Sequence, residues 1–133
     1  MRFLFVALTL ALTAPALAAT PAVETRYTKD YALCLESDDA ANGIQSAMNA
    51  CAYDEYTRQD GRLNQAYVMV MRRQAVAGKA KLRGLQRAWI KQRDVKCDAE
   101  RMAYDGGSIA PLMFHTCMTD QTISRTLWLE RYR

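Results

Sequence analysis

Apolar residues recur three and four positions apart over most of the chain, and no stretch alternates long enough to suggest a strand. That period predicts helices. Tyr27, Tyr31, Cys34 and Leu35 mark a short first helix, and Ser37-Asp38-Asp39-Ala40-Ala41-Asn42-Gly43 breaks it. A second helix follows, with Asp39 or Asn42 as candidate N-cap. Its inner positions run Ile44, Ala47, Met48, Cys51, Ala52, Tyr56, Asp60, Leu63, Tyr67, Val70 and Met71, with Gly61 carried inside it. Ala75-Val76-Ala77-Gly78-Lys79 is the expected turn, with Gly78 its one strong signal. The third helix fades near Tyr104. Asp105-Gly106-Gly107-Ser108 is the clearest loop, Ser108 is a candidate cap for the last helix, and Pro111 suits its first turn. That helix is expected to bury Ile109, Met113, Cys117, Asp120 or Gln121, Ser124 and Leu127. Residues 20–24 are expected to be loose. The fold class is therefore all-α, an antiparallel bundle of three to four helices.

One face of the third helix changes this plain picture. Leu82, Gln86, Trp89, Arg93 and Cys97 fall on it together. Trp89 brings a large apolar area that calls for burial. Gln86 and Arg93 then need polar partners. Asp60, Asn64 and Tyr67 form a row on the second helix that faces them if the two helices are antiparallel neighbours. The expected pairings are Arg93 with Asp60 or Asp94, and Asn64 with Gln86. Such a polar network (Asp60, Asn64, Gln86, Arg93, Asp94) reads as a device fixing helix register rather than as a binding surface.

The chain opens on Met1-Arg2, an uncharged run from Phe3 to Leu12, and Ala16-Leu17-Ala18. This is the form of a secretory signal peptide over residues 1–18, leaving one domain over 19–133 that is periplasmic or secreted. The apolar run is too short to span a bilayer comfortably, and no later run is long enough. In an exported chain, four cysteines read as two disulfides. The four allow three pairings. In a helical hairpin, residues equidistant from the turn lie side by side. Cys34 and Cys51 bracket the polar break, and Cys97 and Cys117 bracket the Gly106-Gly107 loop, which selects Cys34–Cys51 and Cys97–Cys117. No cysteine pair has C-x-x-C spacing and His115 is the single histidine, so no metal site or other cofactor is expected.

Charge is unevenly spread. Residues 19–60 hold three basic and eight acidic side chains, and residues 61–101 hold eleven basic and three acidic. The molecule is dipolar rather than uniformly basic, which argues against nucleic acid as a partner. Ser108, His115 and an aspartate could be imagined as a catalytic triad, but no nucleophile motif surrounds either residue. Oxidised cysteines are not nucleophiles. Met48, Met71 and Met113 read as core filler. The chain is read as a non-enzyme.

Met48-x-x-Cys51, Asp60-x-x-Leu63-Asn64-x-x-Tyr67, Gln86-x-x-Trp89-x-x-x-Arg93-Asp94-x-x-Cys97, Gly106-Gly107-Ser108, Cys117 and Thr122-x-x-Arg125 resemble the N-terminal domain of LprI-type lysozyme inhibitors. The resemblance covers nearly all of the chain after the signal segment. It implies a helical exported bacterial domain that binds a protein partner, with lysozyme inhibition as the activity. A general cell-envelope interaction module is the alternative. The chain departs from lipid-anchored members in lacking a lipoprotein cysteine. Because vertebrate-type lysozymes are cationic, the acidic segment over 24–60 would supply the complementary charge. The loop residues Tyr104, Gly106, Gly107 and Ser108 are the candidate partner-binding element: glycine lets the backbone approach a partner, and tyrosine is an amphipathic anchor.

Overall fold

Helices form wherever the apolar period is unbroken, and they stop at the polar and glycine-rich stretches. The computed structural model describes residues 21–133, so the expected signal segment lies outside the described residues. Three short helices, α1 (Pro21–Glu24), α2 (Lys29–Leu35) and α3 (Asp38–Ala41), precede three long ones, α4 (Gln45–Arg73), α5 (Val76–Met102) and α6 (Ala110–Arg131). The described residues contain no strand. The four expected helices are α2, α4, α5 and α6; α1 and α3 are single turns added to them. The segment expected to be loose is instead helical from Pro21, and Val23 is buried in contact range of α6.

The turn between α4 and α5 is shorter than the sequence suggests. Only Gln74 and Ala75 separate the two helices, and Gly78 lies inside α5. Alanine-rich sequence favours helix over turn here. A Cβ at Gly78 would sit 2.6 Å from Gln74 Oε1, the movable end of a flexible side chain. Between α5 and α6, by contrast, Gly106 does adopt φ +78°, the left-handed region that glycine enters without penalty. Ser108 does not cap α6. The N-cap position is Ile109, which makes no side-chain cap bond, while the Ser108 carbonyl accepts a hydrogen bond from Asn49 Nδ2 at 3.0 Å. Pro111 falls in the first turn, where its missing N–H costs nothing.

The central element is α6. It packs against both α4 and α5, which have no comparable backbone contact with each other. A helix wedged between two others must bury more than one stripe. Met118, Thr119, Thr122, Ile123, Thr126 and Leu129 are buried, whereas Ser124 and Ile109 of the expected face are exposed. The threonines are small enough for neighbours to approach, and Thr126 Oγ1 is satisfied by the Thr122 carbonyl at 3.0 Å. Leu63, Val70, Leu82 and Leu129 form the core, with Trp89 and Trp128 packed on it.

Two disulfides fasten the bundle at one end. Cys34–Cys51 ties α2 to α4 with Cα atoms 5.7 Å apart. Cys97–Cys117 ties α5 to α6 at 5.4 Å. Loop-closure entropy gives each about 3 kcal/mol. The same end carries the α5–α6 loop and the acidic residues Glu36, Asp38, Asp39 and Asp105, all exposed. The opposite end carries Arg72, Arg73, Lys81, Arg83, Arg131 and Arg133, also exposed. The charge asymmetry read along the sequence thus becomes an acidic pole and a basic pole along the bundle axis.

Within α4, a Cβ added to the exposed Gly61 would meet nothing within 4 Å. Gly61→Ala is therefore expected to stabilise the protein by about 1 kcal/mol through helix propensity. Urea denaturation would check it, and a lower midpoint would contradict the open environment described.

Candidate functional site

The most deeply buried charge belongs to a residue the helical pattern would have placed outside. Glu55, on α4, is 0 % exposed. Its carboxylate accepts hydrogen bonds from the Thr28 N–H at 3.0 Å, from Thr28 Oγ1, and from Gln59 Nε2 at 2.7 Å. Thr28 is also the N-cap of α2, its Oγ1 accepting from the Tyr31 N–H at 3.1 Å. Gln59 Nε2 donates in addition to the Arg26 carbonyl at 2.8 Å. Tyr27 donates to Asp120 Oδ1 at 2.7 Å, and Arg26 forms a two-pronged ion pair with Glu130. Burial pushes both the Tyr27 phenol and the Asp120 carboxyl above their ordinary values, while the hydrogen bond from Tyr27 pulls Asp120 back down. These bonds dock residues 23–31 onto α4 and α6.

The row on α5 finds most of its partners on α6. Gln86 Oε1 accepts from Arg125 Nε at 2.9 Å. Asn64 instead donates to Asp60 on its own helix at 3.1 Å. The expected Asn64–Gln86 contact does not form, because α6 rather than α4 faces Gln86. Arg93 reaches Asp94 Oδ1 at 2.9 Å through Nε and Asp60 Oδ1 at 3.9 Å through a terminal nitrogen. Its guanidinium lies 5.0 Å from the Trp89 ring centroid. Arg125 stacks on Trp128 at 3.7 Å and lies 5.5 Å from Trp89. Among the described residues no carboxylate pairs with Arg125, and burial lowers its affinity for a proton. Cation–π contact replaces the ion pair that such a burial usually needs.

His115 packs among aromatic rings rather than in a catalytic arrangement. Its ring centroid lies 5.3 Å from Tyr53, 6.2 Å from Tyr56 and 5.3 Å from Phe114. The Nδ1 that a triad would direct at a carboxylate has no hydrogen-bond partner. Burial lowers the His115 pKa below its ordinary 6.5. Between the unfolded value and the lower folded one, the unfolded chain binds more protons. Stability contributed by neutral His115 is thus complete above pH 6.5 and lost as pH falls through the folded value. Thermal midpoints at stepped pH should decline on acidification below this point, and His115→Phe should flatten the decline. An unchanged slope in the variant would place the acid sensitivity elsewhere.

The loop from Tyr104 to Ser108 is exposed throughout, with Tyr104 42 % exposed. It is held on three sides. The Cys97–Cys117 bridge joins the helices that carry it, Asn49 grips the Ser108 carbonyl, and the Gly107 N–H bonds the Tyr104 carbonyl at 2.9 Å. Gly107 also sits where a Cβ would lie 3.1 Å from that carbonyl oxygen. Among the described residues no group of three or more His, Cys, Asp or Glu side chains is placed to hold a metal ion, and no helix is long and apolar enough to cross a membrane.

A family profile described as Lysozyme inhibitor LprI matches residues 36–129. An uncharacterised protein of Rhizobium meliloti (strain 1021) is 31% identical over 99 residues, covering 65% of this chain and 71% of that protein. No solved structure matches the chain. The profile spans both helices of the polar row, three of the four bridging cysteines, the pinned loop and Arg125, and on this ground the chain belongs to the Lysozyme inhibitor LprI family.

Proposed function

We propose that this protein is an extracytoplasmic, non-catalytic binding protein that inhibits a lysozyme through its acidic, disulfide-fastened pole. Family membership supports the binding class, and two disulfides with no free cysteine fit an oxidising compartment. The observation that carries the reading is the coincidence of three features at one end. The exposed Tyr104–Ser108 loop is held from both helices and from Asn49. Glu36, Asp38, Asp39 and Asp105 surround that end.

A cationic lysozyme would be steered to this pole even though the whole chain carries a formal charge of +4. A lysozyme cleft is a groove, and a narrow projecting loop suits it better than a flat helix face. A loop already ordered before contact loses little entropy on docking. The test is turnover of peptidoglycan by several lysozymes, with and without the purified oxidised protein. Slower turnover at stoichiometric protein, relieved by raised salt, is the expected result. Unchanged turnover by every lysozyme class would leave an envelope interaction module with a different protein partner.

A further inference from the structure

On the side of α6 away from Trp89, a cleft of about 430 Å³ opens between α4 and α6. That volume lies within the range of pockets that hold small ligands. Its floor is apolar: Ala66, Val70, Ile123 and Leu129 line it. Its rim is cationic. Arg26 is neutralised by Glu130 at 2.8 Å, and Arg62 donates to the Arg26 carbonyl at 3.2 Å. Arg73 makes no ion pair or side-chain hydrogen bond among the described residues, and it stands where the cleft meets the basic pole. Neither the Gln86–Arg125–Arg93 row nor the α5–α6 loop lines this cleft, whereas Arg26, Gln59 and Glu130 of the arm-docking bonds stand at its edge.

An apolar floor with a free guanidinium at one end selects a molecule that is apolar along its length and anionic at its head. We infer that the α4–α6 cleft binds an anionic amphiphile, a single alkyl chain bearing a phosphate or carboxylate head. The chain lies over Ala66 and against the exposed Met69, with Val70 and Leu129 closing the floor beneath. The head meets Arg73, with Arg62 beside it, because a guanidinium fork matches the oxygens of either group. This site is separate from the loop pole, so it stands or falls independently of lysozyme inhibition.

The test is calorimetric titration of the oxidised full chain with decyl phosphate below its micelle concentration. Inorganic phosphate and decyl maltoside serve as arms lacking the chain and the charge. Saturable binding of decyl phosphate alone is expected. Arg73→Glu, an exposed change that leaves the core intact, should weaken it by about tenfold or more. Ala66→Leu should fill the floor and weaken it independently, with far-UV circular dichroism checking that both variants stay folded. Equal binding of decyl maltoside would remove the charge argument and overturn the assignment. Saturable binding of inorganic phosphate alone would reduce the cleft to an anion site and also overturn it. Undiminished binding in folded Arg73→Glu would place the amphiphile elsewhere.

Discussion

Glu55→Ala is expected to destabilise the protein by about 2–4 kcal/mol, the cost of leaving buried donors without their acceptor. The carboxylate is fully buried and gathers donors from Thr28 and Gln59, while Arg58 approaches it at 3.5 Å. Alanine would leave the Thr28 N–H and the Gln59 amide without that acceptor. The α2 N-cap would lose its outer partner at the same time, since Thr28 Oγ1 bonds both Tyr31 and Glu55. Glu55→Gln should cost less, because one oxygen still accepts while the new amide faces donors. Chemical denaturation gives the magnitude. Hydrogen exchange gives the location: amides over 26–35 should lose protection before those of α4 and α6. A loss below about 1 kcal/mol, no more than an ordinary surface change, would mean that the docked N-terminal arm does not depend on this carboxylate.

Tyr104→Ala combined with Ser108→Ala is expected to abolish the lysozyme inhibition proposed above while leaving the thermal midpoint nearly unchanged. Neither side chain holds the fold. Tyr104 is 42 % exposed and lies outside the core cluster, and the Ser108 hydroxyl makes no cap bond to α6. What anchors the loop is backbone: the Ser108 carbonyl on Asn49 and the Tyr104 carbonyl on Gly107. Both anchors survive the substitutions, so lost inhibition would report lost contact with the partner. Aromatic anchors at the centre of an interface account for a disproportionate share of binding energy. Retained inhibition would exclude the loop and point to the acidic segment around Glu36, Asp38 and Asp39.

Much of the fold was legible because helical period and cysteine placement are local signals. Cys34 and Cys51 bracket one break, Cys97 and Cys117 bracket another, and both bridges form. The parts that were not legible depend on which helix lies in the middle. Two-helix reasoning set Gln86 opposite Asn64, but α6 intervenes and presents Arg125. Thr122-x-x-Arg125 was visible as a motif, yet nothing in its spacing says that a buried arginine will rest on Trp128. Glu55 and Gln59 were missed for a related reason. Polar residues on a helix are ordinarily read as its outer face. Here a docked arm covers them and supplies Thr28 and the Arg26 carbonyl from about thirty residues away in sequence. The Ser108 cap failed because a serine before a helix is only a candidate, and Ile109 took the boundary position. The loop residues singled out in the sequence, Tyr104, Gly106, Gly107 and Ser108, do lie together at one exposed tip.

Each cysteine in this chain is bonded to its nearest neighbour in sequence, first to second and third to fourth. Four thiols released together could join in three ways. A chain threading into an oxidising compartment amino end first does not present them together. In a chain exported as proposed, Cys51 would arrive well before Cys97, so the first bridge could close while its correct partner was the only other thiol present. Cys97 would then meet only Cys117. The connectivity therefore suits vectorial oxidation without a reshuffling catalyst, and recovery should depend on a thiol oxidant far more than on a disulfide isomerase.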